Sequence, residues 1–282
     1  MKREHIIKTL ARRYPQLTLP ISDETRHTEL YKKTVLRGEP SEKEPEFSFS
    51  EYDRLERIAT PAGEVDVVSL REREDFEHCI RALAHRCEAV ELPKTMGAST
   101  ISGLINWEKI HTHEQEYLAS GGENWDEEFA RFTSDRKNYR DTVIVLSRGN
   151  YSALSPEEAG FDAEKWTELS YDIRKYHELA HFVSRNLFPD NKDAVRDEVL
   201  ADMNGVIGAL GHFDAELEGK FLGIRDGRYY GGRLENYVER SELDGAVERV
   251  NGMLEYLSEN CTGEQKPFEY LMKLEKEKIF LG

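Results

Sequence analysis

A single helical pattern runs from about Glu164 to Phe188, and two histidines occupy the middle of its apolar arc. At about 100° per residue, Trp166, Ile173, His177, His181, Ser184 and Phe188 share one face, flanked by Leu169, Ala180 and Leu187. Pro189 ends the pattern. A helix that does nothing but pack carries aliphatic groups on such a face, because buried imidazoles need polar partners. The fold must therefore bring other polar side chains to this helix.

Candidates follow at once in the sequence. Asp190 and Asp193 read as an N-terminal capping arrangement for a second helix that runs to about Leu210. Its narrow stripe is Ala194, Glu198, Ala201, Asp202, Gly205 and Ala209, small residues around two acids. Small side chains let this face approach another helix closely and carry both acids into the interface. Buried carboxylates there need a metal, a cation or hydrogen-bond donors.

Histidines four apart project in parallel from successive turns, which suits two nitrogens converging on one Zn²⁺. Glu178 lies about a quarter-turn round the helix, placed to accept a proton from a water that zinc has made acidic. Glu198 is the expected third ligand. Asp202, one turn further on, is placed to hydrogen-bond the distal nitrogen of a ligand histidine. Chance alone produces the five-residue histidine pattern in about one chain in thirty of this composition, so the helix context carries the argument.

The run His177, Glu178, His181, then Glu198 and Asp202, resembles the gluzincins, the thermolysin-like branch of zinc metallopeptidases, in a minimal form. The match covers 26 residues, and the 16 between His181 and Glu198 make a tight connection. The resemblance implies a zincin-like fold, a zinc cofactor and a peptide or other amide as substrate. It also implies that the strand Thr142–Ser147 is an edge strand that pairs with extended substrate. Such enzymes stabilise the oxyanion with a donor from further downstream. No motif selects it here; His212, Arg228, Tyr229, Tyr230 and Arg233 are the candidates, and Asp226 to Arg233 has the glycines and donors of a loop over a site.

The remaining chain reads as α+β. Residues 1–45 are expected to form an extension with a short helix (Glu4 to Arg13) and a charged linker from Gly38 to Pro45. Residues 46–155 are expected to form a mixed part with strands at Phe47–Tyr52, Val65–Leu70 and 141–147, and a helix from Glu74 to Cys87. Residues 156–282 are expected to be helical and to carry the zinc site. His111 and His113 read as alternating positions on a strand. Cys79, Cys87 and Cys261 read as buried free thiols.

Fifty-five acidic residues against 39 basic ones leave a net charge of −16. That field repels nucleic acid and anionic membrane, and no basic stripe offsets it locally. The charged start Met1-Lys2-Arg3-Glu4-His5 does not resemble a secretion signal, so the expected compartment is the cytoplasm. The expected function is hydrolysis of an amide by zinc-activated water with Glu178 as general base. The alternatives are a non-catalytic zinc-binding or inactive peptidase-like protein, and a di-iron carboxylate oxidoreductase built on the glutamate-x-x-histidine steps at Glu108–His111 and Glu178–His181.

Overall fold

The computed structural model describes residues 5–39 and 43–281 of a mixed α+β chain. Glu4 and residues 40–42 of the expected linker lie outside the described residues. The chain divides into two compact units: Met1–Ile58 with Val65–Ser147, and Ala59–Glu64 with Arg148–Gly282.

The first unit contains α1 (Ile6–Arg13), a short turn of helix α2 (Glu29–Tyr31), all but the hairpin end of β1 (Arg54–Thr60) and β2 (Gly63–Leu70), then α3 (Arg73–Ala84), β3 (Ala98–Ile105), α4 (Trp107–Ala119), α5 (Trp125–Thr133) and β4 (Arg140–Ser147). Its core joins Ile7 and Leu10 of α1, Tyr14, Leu17 and Leu19 beyond it, Phe76 and Ile80 of α3, and Val143 and Val145 of β4. Ile7 to Leu19 thus contribute to this unit's core, because α1 has an apolar face to bury. Phe47–Tyr52 forms no strand: the Ser48 amide donates to the Asp75 carboxylate (3.1 and 3.2 Å) instead of to a sheet neighbour.

The sheet order is β1-β2-β4-β3. β4 runs parallel to β2 and antiparallel to β3, so it is an interior strand and not the edge strand expected at 141–147. Its continuous apolar run is the reason. Val143, Ile144, Val145 and Leu146 are all fully buried, as a strand flanked on both sides demands. His111 and His113 lie on α4, a 13-residue helix capped by Asn106, and not on a strand. Cys87 falls beyond the end of α3, and the three thiols are buried and free.

The second unit is mainly helical: α6 (Pro156–Ala159), α7 (Ala163–Leu187), α8 (Ala194–Leu210), α9 (Ala215–Leu222), a hairpin of β5 (Ile224–Arg225) and β6 (Arg228–Tyr229), α10 (Leu243–Asn260) and α11 (Glu269–Lys276). α7 starts at an Asp162 cap. α8 starts at Asp193, whose side chain accepts from the Arg196 amide, so Asp193 and not Asp190 is the cap. Gly211, at φ 78°, ends α8 in a left-handed turn.

α7 and α8 lie very close. A Cβ placed on Gly205 would stand 2.7 Å from the Ile173 carbonyl oxygen, and one on Gly208 would collide with a ring carbon of Tyr176. Asn204 donates to the Tyr176 carbonyl (2.7 Å), beside His177. Two apolar clusters meet along this pair. Ile173 and Val206 belong to one, and Ala180, Ala201 and Met203 to the other. Among the described residues no helix is long and apolar enough to cross a membrane.

Candidate metal centre

The stripe read from α8 lands as its small residues require, apart from exposed Ala194. Asp202 is fully buried, and His177 and His181 nearly so. His177 Nε2 and His181 Nε2 stand 3.1 Å apart. Glu198 Oε1 lies 3.2 Å from His181 Nε2, and Glu198 Oε2 lies 3.6 Å from His177 Nε2. Among the described residues these three form the group that can hold a metal ion, with one donor atom of each within 4.8 Å of the others. Zinc bonds of about 2.0–2.1 Å in a tetrahedron set donor–donor edges near 3.3 Å, so the two nitrogens and the carboxylate fit one face of such a site.

Behind the imidazoles lies a second layer of polar groups. Asp202 Oδ1 is 2.8 Å from His177 Nδ1 and accepts from the Tyr151 hydroxyl at 2.6 Å. Arg233 bonds Asp202 Oδ2 through Nη2, and its Nη1 donates to the Tyr151 oxygen at 3.0 Å. Two guanidinium groups lie over the Tyr151 ring, Arg233 at 5.0 Å and Arg174 at 5.6 Å from its centroid. With Nδ1 held by Asp202, His177 presents Nε2 towards His181 and Glu198, which is the orientation a ligand needs.

The electrostatics follow from this wiring. Burial works against charge on Asp202, but the Arg233 charge and the His177 bond hold its carboxyl below the ordinary range. Burial likewise opposes charge on Glu198; the His181 bond and both imidazole charges bring it down to about 2. Burial alone would make His177 less basic, and the bond and charge of Asp202 more than reverse that. A more basic imidazole is a better metal donor. Burial pulls Arg174 down to about 10, opposed by Tyr151 and Glu178. Burial and the charge of Glu198 push the Tyr237 hydroxyl above its ordinary range, against the pull of Arg233.

The five downstream candidates separate. Arg233 enters the cluster. Tyr229 exchanges hydrogen bonds with the Gly232 backbone, 2.9 and 3.0 Å. Tyr230 is 66% exposed. Arg228 is exposed on the hairpin, and exposed His212 lies 3.2 Å from the Leu210 carbonyl. Sequence reasoning missed Tyr151 and Tyr237. Tyr151 follows directly after β4 and its Arg-Gly-Asn turn, with no spacing that links it to the histidines. Glu108 and His111 stay outside the donor group, with Glu108 bonded to Arg13 at 2.9 Å.

Fold and site together define a mixed α+β protein with a buried histidine–carboxylate centre able to hold a metal ion. The chain belongs to the Family of unknown function (DUF7005), which it matches over residues 1–280. No curated protein and no solved structure matches it.

Proposed function

We propose that this protein is a zinc-dependent hydrolase of amide bonds, with a peptide as substrate and a thermolysin-like, zincin-type arrangement of α7 and α8. The observation that supports it is the triangle of His177, His181 and Glu198 donors, with Glu178 next to the first histidine on the same helix. A purely structural zinc is closed by four protein ligands, whereas three leave a position for chemistry. Zinc held there supplies a Lewis acid for a carbonyl and lowers the pKa of water. Glu178 accepts the proton of the attacking water and returns it to the leaving amine. Asp202 fixes the His177 tautomer. Tyr237, whose hydroxyl feels the charge of Glu198, takes the oxyanion role in this reading. Arg233, engaged by Asp202 and Tyr151, acts on the hold of His177.

A second reading, a zinc-holding protein without turnover, is favoured by the burial of both histidines. One experiment separates the two. Zinc is counted by elemental analysis, and a peptide library is then offered to the zinc-loaded wild type and to Glu178→Gln. The expected result is one zinc in both proteins, with slow, selective cleavage by wild type alone. Equal cleavage by both removes Glu178 as the base. Full zinc with no cleavage by either moves the conclusion to the non-catalytic reading.

A further inference from the structure

Tyr151 comes to the metal centre from a single turn, Tyr151–Ala153, that lies between β4 and α6 in the sequence. Ser152 and Ala153 both take left-handed backbone conformations, with φ 51° and 57°. Neither is a glycine, so each is strained there, and such strain persists where the surroundings over-determine it. Four bonds and a ring contact do so. On α7, Ser170 accepts from the Tyr151 amide (3.0 Å), Arg174 donates to the Asn150 carbonyl (3.2 Å) and Trp166 to the Leu154 carbonyl (2.9 Å). On α9, the Phe221 carbonyl accepts from the Ser152 hydroxyl (2.7 Å), and the Phe221 ring meets the Tyr151 ring edge-on at 4.8 Å.

The phenol so held is buried, and its oxygen has three neighbours: Asp202 Oδ1 at 2.6 Å, His177 Nδ1 at 2.9 Å and Arg233 Nη1 at 3.0 Å. A phenol has one proton to give and two lone pairs to accept with. The guanidinium only donates, and Asp202, bonded to Arg233 through Oδ2, takes the hydroxyl proton at the shortest of the three contacts. The Tyr151 oxygen then has no proton left for His177. Nδ1 faces two acceptors, Asp202 Oδ1 at 2.8 Å and the phenol oxygen, so Nδ1 carries the ring proton. We propose that Tyr151 is a positioning residue of the metal centre. Its hydroxyl, with Asp202, keeps the His177 proton on Nδ1 and leaves the Nε2 lone pair for the ion. The strained turn holds the hydroxyl there. The consequence for zinc affinity rests on the zinc reading above; the place of the ring proton does not.

The test uses the full chain and Tyr151→Phe, which keeps the buried ring and removes only its oxygen. Long-range nitrogen–proton NMR of the metal-free protein is recorded in alkaline solution, where the His177 ring carries one proton. Wild type should show the Nδ1–H form alone, and Tyr151→Phe a mixture of both tautomers. A wild type with the proton on Nε2, or a variant identical to wild type, overturns the proposal. Zinc affinity is then read with Zn²⁺ alone, by competition with a chromophoric chelator. Tyr151→Phe should bind zinc about tenfold more weakly. In an Asp202→Asn background the same change should add no more than about twofold, because its effect runs through that carboxylate. An undiminished loss there marks the tyrosine as packing and overturns its positioning role. Ser152→Ala, which frees the turn from Phe221 and leaves the phenol in place, should also mix the His177 tautomers, and it replaces Tyr151→Phe if that variant does not fold. An unmixed ring in Ser152→Ala overturns the part given to the turn. A wild type that takes up no zinc sinks the zinc reading instead, and the NMR comparison then decides Tyr151 by itself.

Discussion

On α4, Glu108 and His111 stand three residues apart, as Glu178 and His181 do on α7. The two helices use this shared step differently. Glu108 is bonded to Arg13 at 2.9 Å and lies 3.6 Å from Arg12, and half-buried His111 lies against the Trp107 ring at 5.8 Å. The α7 step has a further histidine one position earlier and a second helix packed at backbone distance, which delivers two acids. The shared step gathers a group that could hold a metal ion only on α7, where the neighbouring helix supplies acceptors instead of cations.

The largest expected difference is in metal content. His177→Ala or His181→Ala should reduce bound zinc from about one per chain to below about a tenth, since a three-ligand site does not survive the loss of an imidazole. His111→Ala should leave the zinc count unchanged. Elemental analysis after desalting checks both, and zinc loss on the His111 change would erase the distinction between the helices.

What sets α7 apart is also the closeness of α8, so the next test loads that contact. Gly205→Leu should destabilise the fold by about 1–3 kcal/mol through overpacking against Ile173. Gly149→Ala, where an added Cβ meets nothing within 4 Å, should stay within about 0.5 kcal/mol of wild type. Urea denaturation measures both. A Gly205 variant as stable as wild type would mean the helices can separate without cost.

The smallest effect concerns a half-buried acid of the first unit. Asp141 receives the Tyr14 hydroxyl, the Asn106 amide and the Lys109 ammonium, each at 2.6 Å. Burial opposes its charge, yet these bonds hold its pKa below the ordinary 3.8. A lowered folded value means that its contribution to stability is complete above 3.8 and fades as pH falls through that lower value. The stability gap between wild type and Asp141→Asn should therefore be full at neutral pH and narrow in acid, with zinc content unchanged. A gap that stays constant in acid would sink the assignment of Asp141 as a satisfied, structural carboxylate.

Legibility in the sequence follows the range of the interactions. α7, α8 and β4 were readable because their signals repeat within a few residues: a 3.6-residue arc ended by Pro189, a small-residue stripe, and a β-branched run. Phe47–Tyr52 misled because alternation does not reveal that Asp75, 27 positions on, takes the Ser48 amide. β1 was missed because it is a half-exposed edge strand with charges in its pattern, Arg-Leu-Glu-Arg-Ile-Ala-Thr. The interior place of β4 was overlooked although its unbroken apolar run pointed to burial on both faces.

The same division runs through the site. By itself the sequence determined which helix faces carry His177, His181, Glu198 and Asp202, because the helical period converts spacing directly into direction. Only tertiary structure decided that Tyr151 and Arg233 meet Asp202, 51 and 31 residues away along the chain, and that Tyr237 joins this neighbourhood while Tyr229, Tyr230 and His212 stay out of it. Those residues come from separate elements brought together by the packing of α7 to α10. Their convergence is a property of the shared core, and no period along the chain encodes it.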